Sequence, residues 1–176
     1  FGASVYYGEA DQQRILLGDE KQTARTLLVE GHVQFRWKGI ELRALGTYGH
    51  LSNARNLTLA LFPDSGDPTD PETSLLASSV YGYYVEAAYD FWRLFKSKRN
   101  MYLAPFIRFE NYNTQASTPT IAGRTADKSK NQYILDAGVT FKPHPQVVLK
   151  VNYREIWSEA SSKKADAVYF GAGFVY

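Results

Sequence analysis

The sequence predicts an all-β protein whose strands form an antiparallel transmembrane β-barrel. Runs in which apolar and polar residues alternate return eight times along the 176 residues, and aromatic residues make up 15% of the chain. The last run, residues 168–176, ends the sequence on a bare aromatic strand. Because successive side chains of a strand point to opposite faces, each run predicts a strand with one apolar and one polar face. We expect residues 1–176 to form a single β-barrel domain or one half of a larger barrel.

Composition limits the classes of protein that this chain can represent. The net charge is only +2 and the basic residues are spread along the sequence, so nucleic acid is not an expected partner. Cysteine is absent, which excludes a disulfide framework. No apolar run reaches the roughly 18 residues of a transmembrane helix, but membrane strands give a much weaker hydropathy signal. A basic and then apolar signal peptide is not found at Phe1, so we expect a mature form or a fragment.

The first three runs predict three neighbouring strands. The first alternates over residues 1–8 and is followed by a polar stretch at 9–22. The second, 27–37, is the clearest, and the third, 40–48, returns after a two-residue turn at Lys38 and Gly39. A turn of this kind places Arg36 opposite Glu41 on the polar face, so register and charge agree.

Five further runs predict the remaining strands. A long connection, 51–78, contains three prolines and begins with a predicted short helix at 53–61. Pro105 lacks an amide donor, so we expect it near a strand end or a bulge. The five runs lie at 81–91, 103–112, 133–142, 147–154 and 168–176.

The connections alternate in length. Short turns are predicted at 38–39, 93–100 and 142–146, and longer connections elsewhere, including 156–165 before the last strand. Outer-membrane barrels have short turns at one end and long loops at the other. Aromatic residues of the apolar face concentrate near both strand ends, as two membrane interfaces would favour. The alternative is a soluble barrel of the lipocalin kind, with its apolar face inward. Such a barrel requires neither alternating connection lengths nor aromatic residues at both strand ends.

The terminal strand is similar to the last strand of bacterial outer-membrane proteins. A final aromatic residue, preceded by apolar residues at alternate positions, is recognised in those proteins by the barrel-insertion machinery. We therefore expect this machinery as a partner. The row consists of Val168, Phe170, Ala172, Phe174 and Tyr176.

The two faces of the predicted strands define the candidate site. Charged groups are costly to dehydrate, so the polar face implies water, mutual pairing, or both. In a closed eight-stranded barrel these groups would fill the interior, and in a wider barrel they would line an aqueous channel. The predicted lumen-lining residues are Glu30, His32, Arg36, Glu41, Arg43, Glu86, Asp90, Arg108, Glu110, Asp136, Lys142, Lys150 and Arg154. The predicted lipid-facing residues are Val33, Phe35, Trp37, Tyr83, Val85, Phe91, Phe109, Val139, Phe141, Leu149, Phe170, Phe174 and Tyr176.

The second half of the chain also resembles the phosphate-selective porin O and P family. The matching segments read YYVEAAYD at 83–90, APFIRFENY at 104–112 and VTFKPHPQVVLKVNY at 139–153. The resemblance implies a porin of about sixteen strands, usually trimeric, of which this chain would supply the C-terminal half. That family's anion pathway depends on rows of lumen arginines and lysines, and the sequence shows no such ladder.

Catalytic and metal sites have weaker support. His32, His50 and His144 share no metal-ligand spacing, and no partner for a catalytic His50 is apparent. The acidic cluster Asp64, Asp67, Asp70 and Glu72 offers carboxylate oxygens for a divalent cation but lacks an EF-hand spacing, so we expect a solvated loop. We predict neither an enzyme nor a cofactor.

These observations predict an outer-membrane porin that passes small hydrophilic solutes, anions among them, through a water-filled lumen. The 51–78 connection is a candidate constriction. The alternative is a closed eight-stranded structural or surface-binding barrel that does not conduct. The expected partners are the lipid bilayer with its lipopolysaccharide, the insertion machinery and, by the family resemblance, two further copies of the chain.

Overall fold

The computed structural model describes residues 1–10, 15–62, 75–95 and 100–174, the side chains of 163 and 164 excepted. Within these ranges it contains ten β-strands, one α-helix and two short 3₁₀ helices at Phe91–Phe95 and Lys128–Lys130. The elements are β1 Gly2–Glu9, β2 Leu16–Leu17, β3 Glu20–Lys21, β4 Arg25–Trp37, β5 Ile40–Leu51, α1 Ala54–Leu61, β6 Ser79–Tyr89, β7 Tyr102–Ser117, β8 Asn131–His144, β9 Val147–Ser158 and β10 Ser161–Phe174.

Eight of the strands form one antiparallel sheet in the order β1-β4-β5-β6-β7-β8-β9-β10, and β2 and β3 form a separate hairpin. The all-β antiparallel prediction is thereby confirmed. The sheet is not closed into a barrel, because among the described residues β1 pairs only with β4 and β10 only with β9. Alternation determines which face is apolar, whereas closure depends on strand number, tilt and stagger, which the pattern does not encode.

Each of the eight predicted runs matches one strand of the main sheet, and most of these strands extend beyond their runs. The run predicted at 81–91 is too long, because β6 ends at Tyr89, and residues 175–176 of the last run lie outside the described residues. The predicted register is confirmed at the Lys38 and Gly39 turn, where Arg36 lies opposite Glu41. Pro105 lies near the start of β7, and the β6–β7 ladder does not reach it: the last pair is Ala88 with Phe106, the residue that follows Pro105. A missing amide donor explains why this ladder stops there.

Two connections differ from the prediction. β9 continues to Ser158 and β10 begins at Ser161, so a two-residue turn replaces the longer connection expected at 156–165. Between β6 and β7, by contrast, the connection runs over 90–101 and contains a 3₁₀ helix. We call the end of the sheet that carries 38–39, 90–101 and 145–146 the turn end, and the opposite end the loop end.

The connections at the loop end pack into a small core of their own. Leu57 and Thr58 of α1 are almost fully buried, and α1 contacts β2. The Thr58 hydroxyl donates to the Ala54 carbonyl at 2.6 Å and accepts from the Leu76 amide at 3.1 Å. The predicted short helix is therefore confirmed, and it belongs to a group of packed loops. No helix of the described residues has the length and apolar character needed to cross a membrane.

Candidate functional site: the charged face of the sheet

The polar residues of five consecutive strands form one registered row. Strand pairing aligns Arg43 of β5 with Glu86 of β6, then Arg108 of β7, Asp136 of β8 and Arg154 of β9. Each strand contributes one charge, and the sign alternates at every step. Opposite charges that face each other across strands attract, so the row stabilises this register.

Ion pairs connect the row and its neighbours. Arg43 bridges Glu86 and Glu41, each at 3.1 Å, and Arg154 forms a two-pronged contact with Asp136 at 2.8 and 2.9 Å. Asp136 also accepts a hydrogen bond from the Asn152 amide at 3.0 Å. A bidentate guanidinium–carboxylate pair fixes both side chains more firmly than a single contact does.

Arg108 has a different set of neighbours from those that strand pairing alone would give. Its guanidinium contacts Glu110 of the same strand at 2.6 Å and lies 3.9 Å from the centre of the Tyr84 ring. Glu86 lies opposite Arg108 in register, but its carboxylate pairs with Arg43. The ion pairs therefore follow side-chain reach as well as strand register.

Side chains of six strands, β4 to β9, line one cavity of about 480 Å³ towards the turn end. Because strands that are not neighbours contribute to a single space, this face of the sheet is concave. Four basic and two acidic side chains line the cavity, namely Arg36, Arg43, Lys142, Lys150, Glu41 and Glu86. The described lining thus has a net charge of +2.

Two of these cations lie over aromatic rings. The Lys150 ammonium is 4.2 Å from the centre of the Phe106 ring, and the Lys142 ammonium is 5.3 Å from the Tyr102 ring. Among the described residues neither ammonium has a carboxylate within 4.0 Å, whereas Arg36 and Arg43 both contact Glu41. The positive charge of the cavity therefore resides mainly on Lys142 and Lys150.

The remaining predicted lumen residues lie mostly on the same face. Glu30 and His32 of β4 contact each other at 2.7 Å, in the β4–β5 ladder away from the cavity. Asp90 differs, because it follows the end of β6 and its carboxylate accepts the backbone amides of Trp92 and Leu103 at 3.1 and 3.3 Å. Asp90 thus orders the connection to β7 and does not line the cavity.

The opposite, convex face carries the predicted lipid-facing residues, and most of them are exposed. Val33, Val85 and Leu149 are 49%, 53% and 42% exposed, and the list extends to Phe35, Trp37, Tyr83, Phe170 and Phe174. Phe91 is exposed but does not lie on a strand, because β6 ends at Tyr89 and Phe91 begins the 3₁₀ helix that follows. Phe109, Val139 and Phe141 are half-buried by their neighbours on this face. Tyr176 lies outside the described residues.

An aromatic row crosses the convex face near the loop end. Tyr83, Phe109, Tyr133 and Trp157 belong to four consecutive strands, and successive ring centres lie 6.4, 6.5 and 5.7 Å apart. The sequence reasoning missed Trp157 because it ended the seventh run at 154. Tyr153 and Trp157 lie on the same face of β9, but Glu155 lies between them on that face and Ile156 lies on the polar face. The alternation is therefore interrupted after 154, and the pattern did not indicate that the strand continues.

The other candidates gain no support. No group of three or more histidine, cysteine or acidic side chains suited to a metal ion is found within the described ranges. The acidic cluster at 64–72 lies outside these ranges. The described part of the 51–78 connection packs against β2, and none of it lines the cavity.

Comparisons with known proteins give one relative. A protein of Aquifex aeolicus (strain VF5), described as an uncharacterized protein, is 30% identical over 172 residues. The match covers 97% of this chain and 36% of that protein, so the chain spans about a third of its relative's length. No protein-family model and no solved structure matches the chain.

Proposed function

We propose that this chain is part of an outer-membrane porin, whose lumen is lined by the concave face and passes small hydrophilic solutes passively. One observation carries the proposal: in the central strands β5 to β7, large apolar side chains are more exposed than the charged side chains beside them. Val85 is 53% exposed, while the side chain of Glu86, on the opposite face of the same strand, is 13% exposed. A soluble domain does the opposite: it buries its large apolar side chains and exposes its charged ones.

A lipid bilayer accounts for both faces. The convex face then contacts hydrocarbon, with aromatic residues at the interfaces, and the charged face encloses water. Hydrocarbon offers no partner for backbone amides, so the two open edges must be paired in the membrane. The closed eight-stranded alternative requires β1 to pair with β10, which is not found among the described residues.

Further strands from the rest of a longer chain would pair these edges and complete a wider barrel. The relative from Aquifex aeolicus is nearly three times as long as the matched region, which leaves room for such strands. The resemblance of β6–β9 to phosphate-selective porins supports the same arrangement. On this resemblance we also propose that the protein assembles as a trimer. The terminal strand suggests the barrel-insertion machinery as a partner, and lipopolysaccharide would form the outer leaflet around the barrel.

The solute class follows from the charges of the cavity. The ion-paired row is nearly neutral, so it favours water and small polar solutes without a strong preference for sign. Lys142 and Lys150 add positive charge that no described carboxylate within 4.0 Å offsets. Anions are therefore the preferred solutes.

Single-channel recording of the full-length protein in planar lipid bilayers tests the proposal. We expect stepwise conductance and, in a KCl gradient, a reversal potential on the anion-selective side. Replacing both lysines, Lys142→Glu and Lys150→Glu, should shift the reversal potential towards cation selectivity. Lys21→Glu in β3, outside the cavity, is the matched control and should leave it unchanged. Insertion without any conductance would instead favour the closed, non-conducting barrel.

A further inference from the structure

A patch of aromatic and basic residues lies at the turn end, outside the cavity described above. The 3₁₀ helix Phe91–Phe95 presents Leu94 and Phe95 to solvent, 59% and 66% exposed. Trp37, at the end of β4, is 55% exposed. We call this set the turn patch; it comprises Trp37, Lys38, Phe91, Arg93, Leu94 and Phe95.

The two parts of the patch are held together by backbone contacts. The Asp90 amide donates to the Gly39 carbonyl at 2.8 Å, which joins the β4–β5 turn to the start of the 3₁₀ helix. Lys38 and Gly39 have φ values of 49° and 93°, as this two-residue turn requires. A hollow of about 200 Å³ lies between the turn and the helix, and Trp37, Lys38 and Arg93 contribute to its lining.

The charges of the hollow are not balanced. Lys38 lies 4.7 Å from the Trp37 ring, and neither Lys38 nor Arg93 forms an ion pair with any described residue. Two acidic residues also line the hollow, but both are engaged. Asp90 accepts two backbone amides, and Glu41 contacts Arg36 and Arg43. The hollow therefore offers two cations to an anionic group.

We propose that the turn patch binds the headgroup of an anionic phospholipid in the leaflet next to the turn end. This inference rests on the proposed function, because it requires the convex face to lie in a bilayer. Phe91, Leu94 and Phe95 would then lie at the level of the glycerol backbone, where amphipathic and aromatic residues concentrate. Lys38 and Arg93 would contact the phosphate, as basic residues near a membrane surface do.

Tryptophan quenching by brominated lipids tests the proposal. The probe variant keeps Trp37 and replaces every other tryptophan of the full-length protein by phenylalanine. It is reconstituted into vesicles of equal parts phosphatidylglycerol and phosphatidylcholine, with either one or the other lipid brominated. Because each surface cation favours anionic lipid by about fivefold, we expect Trp37 to be quenched clearly more by brominated phosphatidylglycerol.

Two comparisons isolate the basic pair. Lys38→Asn with Arg93→Gln should abolish the lipid preference while quenching by both lipids persists; asparagine tolerates the positive φ of position 38. High salt should weaken the preference without any substitution. A variant that keeps only Trp157, at the loop end, is the matched control and should show no preference.

The possible failures are distinguishable. Equal quenching of Trp37 by the two brominated lipids overturns the headgroup site and leaves the membrane placement intact. Absence of quenching of both Trp37 and Trp157 overturns the membrane placement, and the headgroup site with it.

Discussion

At the scale of single residues, the charged row depends on which partner each side chain reaches. Asp136 is the most sheltered acid of the ion pairs, with 5% of its side chain exposed. It accepts hydrogen bonds from both Arg154 and Asn152. The alternation predicted that Asp136, Asn152 and Arg154 lie on the polar face. That the three side chains meet could be seen only from the register of β8 and β9.

Asp136→Ala is expected to lower the free energy of unfolding by about 1–3 kcal/mol, since it leaves a guanidinium and an amide without their acceptor. Arg36→Ala is the control: Arg36 is 63% exposed and 3.5 Å from Glu41, so its loss should cost less than about 1 kcal/mol. Urea unfolding of the protein in lipid vesicles measures both. If the effects of Asp136→Ala and Arg154→Ala are additive in the double variant, the two side chains are not coupled.

We expect Glu159, in the β9–β10 turn, to make the stability of the fold depend on pH. Hydrogen bonds from Asn131 and from Lys128 lower the pKa of its carboxyl below the usual value of 4.5. A lowered pKa stabilises the fold fully above the unfolded-state value, and this contribution is lost as the pH falls through the folded-state pKa. The unfolding midpoint should therefore fall on acidification below about pH 4.5, and Glu159→Gln should reduce this fall. Glu20→Gln in β3 is the matched control and should leave the acid-induced fall of the unfolding midpoint unchanged.

At the scale of elements, strand contacts decide how closely the backbones approach. Gly138 of β8 lies opposite Asn152 of β9 in the ladder. A Cβ atom at position 138 would lie 2.6 Å from the Asn152 Cβ and would also meet the Val151 carbonyl oxygen. The alternation predicted both strands, but it did not show that this pair requires a glycine.

Gly138→Ala should separate β8 from β9 and destabilise the protein by about 1–3 kcal/mol. Gly31→Ala in β4 is the matched control. Its Cβ would have nothing within 4 Å, and alanine restricts the unfolded chain, so stability should stay constant or rise slightly. Thermal unfolding of the two variants compares them directly, and equal midpoints would show that the close approach is not maintained.

Element boundaries were less predictable than the elements themselves. The β9–β10 turn was missed because residues 159–160 contain no glycine, asparagine or proline. The polar residues at 161–164 also interrupt the apolar alternation, although β10 already begins at Ser161. Ser161 pairs with Ser158, and the ladder resumes at the Ala165–Ile156 pair after an irregularity, so the start of β10 was visible only in the structure.

At the scale of the whole molecule, the proposal depends on which face meets hydrocarbon. Val85 and Ala88 lie three residues apart on β6, on the convex and concave faces respectively. A charge at these two positions should therefore have very different effects.

Val85→Arg should destabilise the membrane-inserted protein by about 2–4 kcal/mol, because an arginine near the bilayer midplane is costly on the lipid face. Ala88→Arg points towards the charged cavity and should change stability little. Urea titration of folding into phosphatidylcholine vesicles measures both. Equal tolerance of the two substitutions would contradict contact between the convex face and lipid.

The sequence by itself determined the eight long strands and the division of their residues between an apolar and a polar face. These features are local, since alternation of period two needs no knowledge of neighbouring strands. Only the tertiary structure decided that the charges align with alternating sign, that Lys142 and Lys150 lie over aromatic rings, and that the sheet has open edges. Pairing depends on the register between strands, and closure depends on the curvature of the sheet and on which strands pair with its edges.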